Sequence, residues 1–472
     1  MERLPGKDAI FLWAETPTTH MHVAFVGIFD PSTMPNGGDD LTPTQVFERF
    51  LGLLRDRLHL VPKFRQRVVR VPLDLNNPYL VDDPHFDLAH HVRRIALPSP
   101  GGQAELEEFT GRFLSHPLDS NRPLWELYVV EGLEGGRWAY VAKVHHMLVD
   151  GVGGNDMLIN LLDLEPEPRD VDPPEQPWEP EELPAGVTLL RRAVTDTVRH
   201  PLRIVDTARR TVSTTTQLLR WQFDSSPSSM HVIGPRSLLN GPIGPHRQVA
   251  FGQWDLGTVK EIKREVGGTV NDVVLAVLGR GLRRFVEEQD QELTRGLVAA
   301  VPISVRPGGD STFDNQVSGM TVPLHDDVDD AREQLRLIRE NTMGAKERMG
   351  AVAATVLTDW SENTVPGLAT QAFRFYTSMG LARRHPPIAN VTISNVPGPP
   401  VPIYLAGSQM EAMYPLGPVV PNQRVNLTVV SYLDRMYLGA IADREHVPDV
   451  RGLVEHVTDE VRLLADDLGV AA

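Results

Sequence analysis

Cysteine is absent from the 472 residues. No disulfide framework can form, and no thiolate is available as nucleophile or metal ligand. Positive charge is scarce as well: 46 lysines and arginines face 62 aspartates and glutamates, for a net charge of −16. Phosphate backbones attract positive surfaces, and no helix-turn-helix or basic arm offsets this balance, so nucleic acid is not an expected partner. No window approaches eighteen uninterrupted apolar residues, and the opening Met1 to Asp8 lacks the apolar core and small-residue cleavage site of a signal peptide. The expectation is a cytoplasmic protein. Gly151-Val152-Gly153-Gly154 has Asp156 where a dinucleotide fingerprint needs its last glycine, and neither a Walker motif nor Gly-x-Ser-x-Gly occurs. NAD, ATP and serine-hydrolase readings lapse.

What is present is a chain 41% hydrophobic and long enough for two domains with separate cores. Glu165 to Glu182 is dense in proline and carries eight carboxylates against Arg169 alone, which reads as an exposed connector. Three parts follow: 1–164, a linker and crossover segment over 165–240, and 241–472. Within the second part, Val187 to Trp221 holds seven arginines against Asp196 and Asp206. On a helix, Arg192, Arg199, Arg203 and Arg210 fall in one stripe, with Leu190, Val194, Val198, Val205 and Val212 opposite, divided near Pro201. Such a helix either packs its apolar seam on the body or lays its arginines on anionic lipid headgroups.

Elsewhere helix and strand signals mix. Thr42, Pro43 and Gln45 form a capping-box signature ahead of Val46, Phe47, Phe50, Leu51, Leu54 and Leu58. Gln103 to Leu114 and Val447 to Leu468 read as further helices. Strands are expected at His22 to Phe29, Leu124 to Val130, Leu297 to Ile303, Gln316 to Pro323 and Val425 to Leu433.

The chemistry concentrates in His145-His146-Met147-Leu148-Val149-Asp150-Gly151. Trp138 to Val144 runs into the doublet as a strand, so the two histidines point to opposite faces and cannot do the same work. Gly151 allows the backbone to turn, and Val152 to Leu164 reads as the following helix. A neutral imidazole can take a proton from a hydroxyl attacking a carbonyl and pass it to the leaving group. His146 is the candidate general base, and Asp150 is expected to support the loop that aims it. The other doublet, His90-His91, has no Asp-Gly turn and is expected to be structural. Metal binding by His145, His146 and Asp150 is disfavoured, because adjacent strand residues diverge and no His-Glu-x-x-His helix occurs.

The doublet with Asp-Gly resembles the active-site motif of the coenzyme A-dependent acyltransferase superfamily, which includes chloramphenicol acetyltransferase, condensation domains and polyketide-associated acyltransferases. The opening Asp8-Ala9-Ile10-Phe11-Leu12-Trp13-Ala14-Glu15-Thr16-Pro17, with Met21-His22-Val23, is similar to bacterial wax ester synthase/diacylglycerol acyltransferases, especially the actinobacterial branch. Further matches fall in order at Arg122-Pro123-Leu124-Trp125-Glu126, Thr269 to Ala276, Val301 to Pro307, Ile393 to Pro399, Asn426 to Tyr432 and Ala442-Asp443-Arg444. Asp314 stands where relatives usually have glycine, and Lys7 where they have a small or apolar residue.

The resemblance implies an α/β (α+β) fold of two chloramphenicol acetyltransferase-like halves, each a mixed sheet flanked by helices, with the active-site channel between them. It implies transfer of a long-chain acyl group from acyl-CoA, a co-substrate rather than a cofactor, to diacylglycerol or a fatty alcohol. Rivals are a carrier-protein-dependent acyltransferase and a non-catalytic lipid-inclusion binding protein. The family's proton acceptor lands on His146 and its Asn-Asp pair on Asn271 and Asp272, which either border the channel or simply cap a helix. Arg306 is a candidate partner for Asp150, or a solvated arginine before Pro307. Ser394 and Asn395 either stabilise an oxyanion or thioester, or form a turn before Pro397. Apolar substrates must be met at an interface, so peripheral contact with an anionic inner-membrane surface or with lipid inclusions is an open expectation.

Overall fold

The computed structural model describes residues 1–35, 41–148, 160–199, 233–289, 292–304, 317–349 and 386–470, with five positions between 370 and 379. Asp150, Gly151, Arg306, Asp314, Arg203 and Arg210, with most of the predicted Val152 helix, lie outside the described residues.

Two six-stranded mixed sheets and one small three-stranded sheet form the frame. In the first, His22–Asp30 and Trp138–His145 lie side by side and antiparallel, with His22 opposite His145. Trp125–Glu131 continues antiparallel on one flank and Val92–Ala96 follows parallel to it. On the other flank lie Ser408–Leu416 and then Tyr404–Leu405. The sheet that carries the histidine doublet is therefore completed by residues beyond 400, across the division near 165–240 that composition suggests.

The second sheet runs Val317–Pro323, Val298–Ser304, Val391–Val396, Val425–Tyr432, Arg435–Asp443 and Arg247–Asp255. Val391–Val396 is parallel to both of its neighbours. Helices Val270–Glu288 and Val450–Leu468 pack on each other beside this sheet. Their apolar positions, from Val273 to Val286 and from Leu453 to Leu468, fill a core separate from that of the first half. Removing such side chains from water is the main stabilising term for each half.

Local chemistry sets the helix boundaries. Thr42 accepts from Gln45 N–H at 3.4 Å, and Gln45 Oε1 accepts from Thr42 N–H at 2.9 Å, completing the expected capping box of Pro43–Arg57. Gln103–Leu114 is a helix, as its pattern predicts, and it joins the halves by packing on strand Arg247–Asp255. Close approach is possible because residue 111 is glycine: a Cβ there would come within 3.0 Å of the Arg247 carbonyl oxygen.

The arginine-rich segment begins as helix Gly186–Arg199. Its buried seam is Leu189 and Ala193, which cluster with Tyr79 and Val81 of the small sheet and with Val71 just beyond it. Val194, expected on the apolar side, is 49% exposed. Leu189 and Ala193 form the i, i+4 pair that seats the helix, and Val194, about 100° further round the axis, lies off that face.

Candidate active site

His145 closes its strand and His146 opens a 3₁₀ turn, His146–Leu148. The turn separates their surroundings. His145 is buried, and its Nδ1 accepts the Met147 N–H at 3.2 Å. That bond requires the ring proton on Nε2, which faces Glu15 Oε1 at 3.5 Å. Burial pushes the Glu15 carboxyl up, but the neighbouring His145 ring, with help from His20 and the Met21 N–H, outweighs it and holds the group below its ordinary value. Glu15 and His145 thus tie the end of helix Gly6–Ala14 to the doublet.

His146 is arranged differently. Its main-chain N–H donates to the Met21 carbonyl at 2.8 Å, and its ring stacks on Phe11 with centroids 4.0 Å apart and planes 15° from parallel. Nδ1 has no hydrogen-bond partner in another described residue. Desolvation lowers the imidazole pKa to about 4, its own carbonyl opposing slightly and the charge of His145 adding to the fall. The ring is therefore neutral near pH 7; the residue as a whole keeps partial exposure, while Nδ1 is buried.

Two more histidines stand behind the doublet. His20 is lowered to about 4 by burial and by Arg247, and His22 falls well below its ordinary value through burial and Lys143. Their rings stack at 5.5 Å. His22 Nε2 lies 3.1 Å from the Leu114 carbonyl. Lys143, also buried, donates to the Phe113 and His116 carbonyls and pairs with Glu126 at 3.2 Å. These groups close the end of Gln103–Leu114, where the terminal carbonyls need donors. His91, from the other doublet, is packed between Phe86 and Trp125 with Nδ1 2.8 Å from the Trp125 carbonyl.

Asn271 and Asp272 open helix Val270–Glu288. The Asp272 carboxylate accepts from Thr269 N–H at 2.9 Å and Thr269 Oγ1 at 2.8 Å, and takes the Thr342 hydroxyl at 3.1 Å. It caps the helix and anchors Ala331–Met349. Asn271 is partly exposed beside it. Ser394 and Asn395 are strand residues rather than turn residues, because Val391–Val396 pairs with Val425–Tyr432 through Val396. Ser394 shares a face with Val396, whereas Asn395 shares the opposite face with the buried core residue Ile393.

Val396 lines a cavity of about 600 Å3 between the halves. Phe25, Met413 and Pro415 contribute from the first sheet, Val396 and Val430 from the second, and Leu162 from the connector side. Its size and apolar lining suit an aliphatic ligand. A second, wholly apolar cavity of about 70 Å3 lies under helix Pro43–Arg57 and shares the walls Phe25 and Leu162. It extends along the sheet to Val144, two residues before His146. Phe11, Glu15 and Met21 had no assigned role in the sequence reading. Glu15 and His145 are 130 positions apart, and nothing in spacing marks them as partners.

The description "wax ester synthase/diacylglycerol acyltransferase catalytic domain" matches residues 4–274, and the corresponding C-terminal domain matches 313–465. A Mycobacterium tuberculosis H37Rv protein named provisionally as a diacylglycerol O-acyltransferase is 34% identical over 99% of this chain and 90% of its own. A second from that strain is 33% identical over 94% and 92%. The solved wax ester synthase/diacylglycerol acyltransferase from Marinobacter aquaeolei VT8 superposes with a TM-score of 0.71 at 29% identity, covering 99% of this chain and 100% of that one. The starter condensation domain of rhizomide synthetase RzmA shares the fold at 14% identity and a TM-score of 0.52, covering 100% of this chain and 95% of that one. With a family match over more than half its length and relatives above 30% identity along nearly all of it, this chain belongs to the wax ester synthase/diacylglycerol acyltransferase family.

Proposed function

We propose that the protein transfers a long-chain acyl group directly from acyl-CoA to the hydroxyl of diacylglycerol or of a fatty alcohol, giving a neutral lipid and free CoA. The observation that carries this reading is the neutral imidazole of His146, with a buried Nδ1 unpartnered among the described residues, two positions beyond Val144, which lines the apolar cavity of the first half. His146 takes the acceptor's proton as its oxygen attacks the thioester carbon. The tetrahedral adduct collapses, the carbon–sulfur bond breaks, and the departing thiolate receives the proton. Without cysteine the acyl group has no thiol station on the enzyme, and a ternary complex supplies orientation instead.

A base with so low a pKa is always free at neutral pH but has little proton affinity, so the transition state needs support for the developing oxyanion. Ser394, on the cavity-side face of its strand, and Asn271 are the described candidates from the second half. Asp150 with Arg306 is proposed to steady the loop after the doublet. Acyl-CoA is a substrate, and no separate cofactor enters the scheme.

Labelled palmitoyl-CoA incubated with a panel of diacylglycerols and fatty alcohols tests the reaction. Product from acyl-CoA alone is expected; transfer only from a carrier-bound acyl group would reassign the donor. Contact with anionic membrane or inclusions is proposed through the arginine stripe to which the exposed Arg192 belongs. No helix among the described residues is long and apolar enough to cross a membrane. Glutamine at Arg192, Arg199, Arg203 and Arg210 is expected to release the protein from anionic vesicles at low salt.

A further inference from the structure

Helix Gln103–Leu114 and the start of strand Arg247–Asp255 enclose a hollow of about 260 Å3 that the proposed chemistry leaves unused. It is lined by Arg112, Arg247, Arg444 and Arg451, against Glu107 and Glu108. Positive charge is in excess here, although the chain as a whole carries −16.

The two glutamates are already engaged. Glu108 pairs with Arg112, and buried Glu107 accepts the Phe251 N–H at 2.9 Å and pairs with Arg451. The exposed Arg444 side chain has no hydrogen bond or ion pair among the described residues. At the back, Arg247 is only 3% exposed. Its guanidinium is held by carbonyl oxygens, Gly244 at 2.6 Å, His246 at 3.0 Å and Thr18 at 2.6 Å. Asp443 and Glu445 act on it only through space. Carbonyls orient this buried cation, the two carboxylates offset part of its charge at a distance, and an anion in the hollow would complete its surroundings.

The hollow is also close to the base. Thr18, which receives Arg247, is three residues before Met21, whose carbonyl receives the His146 N–H. An extended chain covers at most roughly 10 Å in three residues. The pantetheine arm of CoA is longer than that.

We infer that this arginine hollow binds the phosphate groups of the CoA moiety, with Arg444 and Arg112 at the rim and Arg247 behind them. The inference rests on the acyl-CoA reading above. Forked guanidinium groups match phosphate oxygens in geometry as well as charge, and the thioester then has one direction in which to reach His146.

Calorimetric titration of the full-length protein with CoA, with inorganic phosphate and with phosphatidylglycerol vesicles tests it. Arg112→Glu combined with Arg444→Glu is expected to weaken CoA binding at least roughly 10-fold, the scale of losing charge-assisted bonds to phosphate. The charge-matched control, Arg264→Glu with Arg462→Glu, alters exposed arginines on other helices and should leave CoA binding near that of the unaltered protein. Equal loss in the control, unchanged CoA binding in the rim variant, or binding confined to vesicles or free phosphate would overturn the assignment. A short acyl thioester lacking the nucleotide separates the two ideas. Transfer from that donor without CoA binding at the rim sinks this site alone, and CoA binding at the rim without transfer from any donor sinks the proposed reaction alone.

Discussion

The rings of Phe11 and His146 lie face to face, 4.0 Å between centroids. This contact dries one side of the imidazole and fixes its plane, so the amino-terminal helix takes part in aiming the proposed base. Phe11→Ala is expected to lower turnover by about 10-fold through misplacement, whereas His146→Ala should lower it by at least about 100-fold, the lower range for a general base. Steady-state rates on protein with an unaltered melting transition check both, and near-normal turnover by His146→Ala would end the mechanism.

His145 has a different expected signature. Its ring accepts from Met147 N–H and faces Glu15, so His145→Ala should loosen the turn and lower the melting temperature along with activity. Glu15→Gln, which preserves a hydrogen-bonding group, should lose less than Glu15→Ala. Equal losses in the two Glu15 variants would argue against this positioning role.

The pH dependence of kcat/KM should report the depressed His146. With its pKa lowered to about 4 by burial, the base is unprotonated throughout the neutral range. The profile is expected to stay flat from pH 8 to about 5 and fall only as the ring gains its proton below that. An acid limb centred near the ordinary histidine value of 6.5 would point to another group.

Stability should show the same histidines with a definite sign. His20, His22 and His146 are all lowered below the unfolded value, so between pH 6.5 and about 4 the unfolded chain binds protons that the folded one refuses. Their contribution is full above the unfolded pKa and declines as pH falls through that window. Asp326, raised to about 6 by burial, works in the opposite sense. Urea midpoints at pH 7.5 and 5 should therefore drop less in His22→Gln than in the unaltered protein, and an identical drop would contradict the assignment.

Arg57 and Asp163 form a buried ion pair at 2.7 Å, each 2% exposed in its side chain. It ties helix Pro43–Arg57 to the segment that walls the joint cavity. Asp163→Ala leaves the guanidinium uncompensated and should cost about 3–5 kcal/mol, measured by chemical denaturation. Val396→Trp, directed into the cavity, should instead leave stability nearly unchanged and selectively reduce transfer with long-chain substrates.

Several elements were legible from local chemistry. The Thr42–Gln45 capping box, the periodicity of Gln103–Leu114 and the strand entering the doublet each depend on neighbours a few residues apart. The different surroundings of His145 and His146 were expected from strand alternation, but the strand ends at His145 and a 3₁₀ turn over His146–Leu148 separates the two rings. Ser394 and Asn395 were harder: Pro397 suggested a turn, yet pairing with Val425–Tyr432 extends the strand through Val396, and ladder hydrogen bonds override local turn preference.

By itself, the sequence determined the family and the lack of any cysteine thiol, and it singled out the histidine doublet for the proposed chemistry, because composition and short motifs encode these directly. Tertiary structure alone decided that Phe11 covers the His146 imidazole, that Glu15 faces its neighbour, that Asp272 reaches Thr342 on a distant helix, and that residues beyond 400 complete the first sheet. Burial and partnership arise between segments more than a hundred positions apart, and the free energy that selects them belongs to the packed core rather than to any local pattern.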